Sequence, residues 1–315
     1  MKPSHPKRMV NIVGGFLGAG KTTLLNHLLS GGNLGRTCVL VREYGETGID
    51  GRLIGVDPED IHMFQGVSFQ DAPQLRLYDY LHRLYDEKEF DRLLMEVSGL
   101  ENPHDLVQLF MVGHIPEHYT LGSYIAVVDA RYGELNFDEY PVALEQVAYA
   151  DAVIINKIDL ADETAAARLE ERIGHINGAA RVRRASYARV DLTLFLNMDL
   201  YGQLKHLRPA AAERDGMDHI QSMVLTEERP MDKDKVDAWI NALFSQKGQK
   251  ILRSKGFFCF RDEDCRYEFQ GVRKSFHSKA DCRWQPDEER KSVVVLIGEQ
   301  MLDEARLQQS FSACV

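Results

Sequence analysis

The sequence predicts an α/β domain on a mostly parallel, doubly wound sheet, followed by a smaller α+β domain. Three observations carry this: apolar runs alternate with helix-length segments from residue 9 to about 205, a glycine-rich loop joins the first run to the first helix, and the patterning changes after residue 218. Runs at 9–13, 38–41, 93–96, 124–128 and 152–155 read as buried strands. Strands separated by helices pair in parallel, with crossovers covering both faces of the sheet. The stretch 206–218, rich in alanine and charge, reads as a linker between domains at 1–205 and 219–315. In the second domain, Val236, Trp239, Ile240, Leu243 and Phe244 share one face of a helix, with Asp232 or Asp234 as its cap. Strands at 256–260, 267–273 and 292–298 and a last helix at 303–311 give it mainly antiparallel character.

Composition narrows the function. Apolar residues make up 44% and charged residues 27%, an ordinary globular balance. A formal net charge of −10 argues against a bulk nucleic-acid binder, because neutralising phosphates needs a basic surface. No apolar run approaches the roughly 18 residues that span a bilayer. Lys2, Lys7 and Arg8 precede an apolar stretch as in a secretory signal, but Gly14, Gly15 and Gly18 interrupt it, so it reads as a strand entering a loop. Five scattered cysteines form neither a paired framework nor a C-x-x-C, which points to a reducing cytoplasm.

Gly15-Phe16-Leu17-Gly18-Ala19-Gly20-Lys21-Thr22 fits G-x-x-x-x-G-K-[ST] between a strand and a helix. Glycines let backbone N–H groups turn inward around phosphate oxygens, and the helix N-terminus adds partial positive charge. Lys21 is placed for the β- and γ-phosphates, the Thr22 hydroxyl for Mg²⁺, and Thr23 supplies a following hydroxyl. This loop does not choose between ATP and GTP. Asn156-Lys157-Ile158-Asp159, directly after a buried strand, does. The Asp159 carboxylate can accept from N1–H and the exocyclic amine of guanine, whereas adenine lacks the N1 donor. Lys157 can lay its stem over the base, and Asn156 can tie this loop to the phosphate loop. Between the two motifs, Glu96 ends a strand where an acid can hold magnesium's water shell, and the Gly99 amide can approach a γ-phosphate. Release of such a loop on hydrolysis is how a nucleotide switch works.

These residues resemble the CobW-like GTPases, relatives of the HypB and UreG nickel-insertion GTPases. The resemblance rests on GGFLGAGKTTLL at 14–25, EYGETGIDG at 43–51, EVSGLENP at 96–103, Val127-Val128-Asp129-Ala130 and the segment 146–160 with NKIDL. The second domain is similar to the CobW C-terminal domain through LRSKGF at 252–257, Phe269-Gln270-Gly271-Val272, Trp284 and Val295-Leu296-Ile297-Gly298. The resemblance implies GTP hydrolysis coupled to delivery of a metal such as Zn, Ni or Co, or to activation of a client metalloenzyme; acceleration by a partner or by a homodimer is a separate expectation, from the missing glutamine after Gly99. Glu43, Glu46 and Asp50 become candidates to sense magnesium and the γ-phosphate, with Glu96 and Gly99 as the second sensor.

The sequence departs from the family's usual C-x-C-C, since residues 65–70 read Gln-Gly-Val-Ser-Phe-Gln. Thiolates give such sites their affinity for soft metals. A switch that remodels a client without handling metal therefore stays open, as does, more distantly, a P-loop small-molecule kinase, which N-K-x-D argues against. His62, His104, His114, His118, His219 and His277 are replacement ligands to weigh, with Cys265 and Cys282 beside His277. Arg42 stands where the family usually has asparagine. Two roles are open for it: an arginine finger in cis, or a surface ion pair with Glu43 or Glu46. No glutamine follows Gly99 to orient water; Leu100 and Glu101 do. Intrinsic turnover is then expected on the order of 10⁻⁴ to 10⁻² s⁻¹.

Overall fold

Gly15, the first glycine of the phosphate loop, ends the strand at the middle of a seven-stranded parallel sheet. The computed structural model describes residues 6–31, 34–43, 60–65, 73–111, 113–191, 200–207, 218–248, 250–299 and 303–315. They fall into two compact units, one spanning Met1–Glu170 with Ala180–Asn197, the other Glu171–Ala179 with Met198–Val315.

In the first unit, β1 (Arg8–Gly15) leads into α1 (Lys21–Ser30), β2 (Thr37–Glu43) and β3 (Ile61–Gln65). Helix α2 (Pro73–Glu87), β4 (Arg92–Glu96), α3 (Pro103–Leu109) and the single turn α4 (Ile115–His118) follow. The unit continues through β5 (Tyr119–Asp129), α5 (Gly133–Glu139), α6 (Pro141–Tyr149), β6 (Ala152–Asn156), the part of α7 (Glu163–Ile176) up to Glu170, and β7 (Arg181–Arg184); α7 from Glu171 on is assigned to the second unit. The strand order is β3-β2-β4-β1-β5-β6-β7. Val10, Ile12, Leu93, Leu94, Ile125, Val127, Val153 and Ile154 are fully buried, as a sheet covered on both faces requires. The chain winds outward in one direction from β1 to β3 and in the other from β5 to β7. The order reverses beside β1, so the carboxyl ends of β1, β4 and β5 surround the crevice where such sheets take ligands.

The second unit holds α8 (Leu200–Leu204), β8 (Ile220–Glu227), α9 (Lys233–Lys247), β9 (Ile251–Cys259), β10 (Cys265–Val272), β11 (Ser275–Arg283), β12 (Ser292–Glu299) and α10 (Glu304–Ser312). Its antiparallel sheet runs β11-β10-β9-β12-β8. Val236, Ile240 and Phe244 of α9 pack with Leu307 and Phe311 of α10 against Leu225, Phe258, Phe269 and Val294. Asp232 caps α9, accepting from the Lys235 amide at 3.1 Å. Asp232→Ala is expected to lower the stability of this unit by about 1 kcal/mol, read as a shifted urea midpoint.

Four strands were not anticipated. β3 and β7 lie at the edges of the parallel sheet, and β7 reads Arg-Val-Arg-Arg, with no apolar run to announce it. β11 is an edge strand exposed along nearly its whole length, so burial imposes no alternation on it. β8 lies in a segment between the proposed linker and the α9 helix to which no element was assigned. The proposed linker at 206–218 lies mostly outside the described residues.

Candidate active site

The phosphate loop is shaped by backbone that only glycine tolerates. Gly15 has φ +131°, and a Cβ there would meet the Val127 carbonyl of β5; Gly20 has φ +108°, and a Cβ there would meet the Asn156 side chain. Gly15→Ala is expected to destabilise the unit by about 3 kcal/mol through strain and overpacking, measured by denaturant unfolding. The Ala19 amide closes the loop on the Phe16 carbonyl at 3.2 Å. Helix α1 begins at Lys21 with no side-chain cap and no acid in its first turn, leaving its N-terminal amides to an anion. Lys21 Nζ donates to the Phe16 carbonyl at 3.3 Å, which holds the ammonium over the loop. Thr23 is exposed one residue beyond Thr22.

Thr22 and Glu96 come together: the Thr22 hydroxyl donates to Glu96 Oε1 at 2.7 Å, and Glu96 is buried. A hydroxyl and a carboxylate are hard oxygen donors, so this pair fits a magnesium ion. Gly99 is buried against the phosphate loop, where a Cβ would lie 2.6 Å from the Leu17 nitrogen. Gln146 of α6, to which the sequence reading gave no role beyond the family resemblance, holds this segment from the other side. Its Nε2 donates to the carbonyls of Gly99 at 3.1 Å and Glu101 at 3.3 Å.

The base loop is tied to the phosphate loop twice. Asn156 Nδ2 donates to the Ala19 carbonyl at 3.0 Å, and its Oδ1 accepts from the Ala188 amide at 2.7 Å. Lys157, in the left-handed region at φ 63°, donates to the Gly18 carbonyl at 2.6 Å and to Asp129 Oδ2 at 2.7 Å. Asp129 in turn accepts from the Arg131 amide at 2.8 Å, so it fixes both Lys157 and the turn after β5. Asp159 is exposed, and its carboxylate makes no hydrogen bond among the described residues, which leaves an acceptor for a base. Sequence reading also missed the turn after β7. Tyr187 and Ala188 both have positive φ, 53° and 54°, and this turn supports Asn156. Small residues after the last parallel strand were its only signal.

Arg42 corrects the sequence reading. It is not a surface residue, and the partner it shows among the described residues is Glu101. It is 3% exposed and bonded through Nη1 to Glu101 Oε1 at 3.0 Å. The penultimate residue of β2 is thus turned inward to meet a partner that linear patterning cannot identify. Glu101 is thus engaged with Arg42, and Leu100 is exposed. Glu46 and Asp50 lie outside the described residues, as does the side chain of Glu43.

The replacement metal ligands do not converge. Among the described residues no group of three or more His, Cys, Asp or Glu is placed to hold a metal ion. His62 bonds the Tyr80 hydroxyl, and burial holds its imidazole below the usual range. His104 meets Tyr149, and His114 meets Glu117. His118 packs on His82 and Tyr85. His277 pairs across the hairpin with Gln270 while Cys265 faces Arg283, so His277 stands several residues along the strand from both Cys265 and Cys282. Burial pushes the Cys38 thiol up to about 12, away from thiolate chemistry. Of the counterpart of C-x-C-C at 65–70, Gln65 ends β3 and residues 66–70 are outside the described residues.

Comparison with known proteins places these features in context. Residues 9–184 match the model of the CobW/HypB/UreG nucleotide-binding domain, and residues 220–315 match that of the cobalamin synthesis protein CobW C-terminal domain. The chain is 32% identical to the zinc chaperone YjiA of Escherichia coli K12, covering 94% of this chain and 95% of that one. It is also 32% identical to the zinc chaperone CobW of Pseudomonas aeruginosa, over 96% and 90%. The crystal structure of Zn(II)-bound YjiA GTPase from E. coli superposes with a TM-score of 0.72 at 28% identity, covering 99% of this chain and 100% of that one.

Proposed function

From the premise that this chain belongs to the CobW/HypB/UreG family and is a GTPase, we propose that it couples slow GTP turnover to delivery of a divalent transition metal, zinc first, to a client metalloenzyme. The observation that carries the nucleotide half is the Thr22–Glu96 bond beneath the phosphate loop, with Gly99 against Leu17. The phosphate-loop amides and the N-terminus of α1 cradle the phosphates, and Lys21 places its charge on the β- and γ-oxygens. Thr22 and Glu96, with Glu43 and Asp50 as further candidates, are the oxygen donors for the magnesium ion, which when bound neutralises phosphate charge. Asn156 and Lys157 hold the base loop on the phosphate loop, and Asp159 reads guanine. Where a water-orienting glutamine would follow Gly99 stand the exposed Leu100 and Glu101, which is engaged with Arg42; this supports a low intrinsic rate and acceleration by a partner or a second copy.

Supporting the metal half is the similarity of both units to zinc chaperones. Supporting a partner are Leu17, Leu100, Tyr132, Leu135 and Tyr140, exposed on loops and short helices around the phosphate loop and the turn after β5. In this reading the protein works in the cytoplasm, where its free cysteines stay reduced. No helix among the described residues is long and apolar enough to cross a membrane.

A second reading, a GTP-dependent switch without metal handling, is favoured by the absence of C-x-C-C and of a converged ligand set among the described residues. Calorimetric titration of metal-stripped protein with zinc, nickel and cobalt, with and without GTP and magnesium, separates the two. Tight one-to-one binding that shifts with nucleotide is the expected result. No binding tighter than roughly 10 µM beside normal GTP binding would move the protein to the metal-free switch, because delivery needs a site that outcompetes casual surface ligands.

A further inference from the structure

Beneath the Gly99 loop lies a buried polar cluster that phosphate binding does not require. Arg42 comes from the end of β2 and Glu101 from the segment after β4; their side chains are 3% and 6% exposed and 3.0 Å apart. Gln146 of α6, 1% exposed, donates to the carbonyls of Gly99 and Glu101. Tyr124 of β5 is fully buried beside them, its phenol raised first by burial and then by the Glu101 charge. Three elements therefore converge on one short loop whose other side rests on Leu17 of the phosphate loop. A buried ion pair adds little net stability, but losing one partner strands a charge. Its effect here is geometric: with Gln146 it fixes where the Gly99 amide stands.

We infer that Arg42, Glu101 and Gln146 are positioning residues for GTP hydrolysis, holding the Gly99 loop against the phosphate loop so that its amide is in place for the γ-phosphate before GTP arrives. Arg42 acts through Glu101 and not as a finger. Preorganised donors need no rearrangement when charge develops, which is where their effect on rate originates. GDP lacks the γ-phosphate, so its affinity is insensitive to this loop. The inference rests on the nucleotide-site reading above.

The test measures single-turnover GTP hydrolysis, and the affinities for GDP and a non-hydrolysable GTP analogue, in full-length protein. Glu101→Gln keeps the side chain's size and removes its charge. It is expected to slow hydrolysis at least tenfold and to lower the ratio of GTP-analogue to GDP affinity, with GDP affinity within twofold of wild type. A finger would be released by this change, so an unaltered or faster rate overturns the inference. Single variants that leave a buried charge unpaired can fail to fold, so Arg42→Met/Glu101→Leu removes both charges together. It is expected to melt near wild type with the same loss of rate and of affinity ratio. A folded double variant with wild-type rate and ratio overturns the inference. If the wild type binds GTP without turning it over, the proposed function falls, and the affinity ratio alone decides this point.

Discussion

Lys21→Ala is expected to cut GTP turnover at least about a hundredfold while leaving the fold intact. Lys21 is the first residue of α1, with its ammonium held over the loop at the Phe16 carbonyl. It is the one cation inside the phosphate-loop motif, and removing a single preorganised electrostatic donor lowers kcat by about 10²–10³. Alanine is the best helix former, so the first turn of α1 loses nothing by the change. Phosphate release under single turnover, with circular dichroism as the folding control, checks this. A variant within tenfold of wild type would show that the charge at the phosphates is supplied elsewhere and would sink the assignment of the loop as the catalytic cradle.

Asp159→Ala is expected to weaken GTP binding by about 10²–10⁴, because two hydrogen bonds from guanine to a charged acceptor contribute about 1.5–3 kcal/mol each. Binding of ATP should not change, since adenine makes neither bond. The carboxylate is exposed and makes no hydrogen bond among the described residues, so folding should change by less than about 0.5 kcal/mol. Competition of GTP and ATP for the wild type and the variant reads the selectivity directly. An unchanged ratio would mean that guanine is recognised by other groups, with the turn at Tyr187 and Ala188 the next place to look.

The parts of this site that local chemistry demands were legible. A buried parallel strand must be apolar along its length, so β1, β2, β4, β5 and β6 announce themselves, and each motif lies at the carboxyl end of such a strand. The glycine positions follow from the positive φ of the loop, at Gly15, Gly18 and Gly20. Edge strands β7 and β11 escaped because an edge can stay polar and exposed, with pairing that comes from a neighbour and not from its own pattern.

By itself, then, the sequence determined the doubly wound plan of the first unit, the phosphate and base loops, and the family. Each depends on residues adjacent in the chain, whose conformation is a local matter. Tertiary structure alone decided the rest. It turned Arg42 inward onto Glu101, set Gln146 under the Gly99 carbonyl, gave Lys157 to Asp129 and, among the described residues, kept the histidines from converging on a common metal position. Those outcomes depend on which side chains meet after the sheet has closed. A buried charge takes whatever partner the fold brings within reach, and nothing in the linear pattern names it.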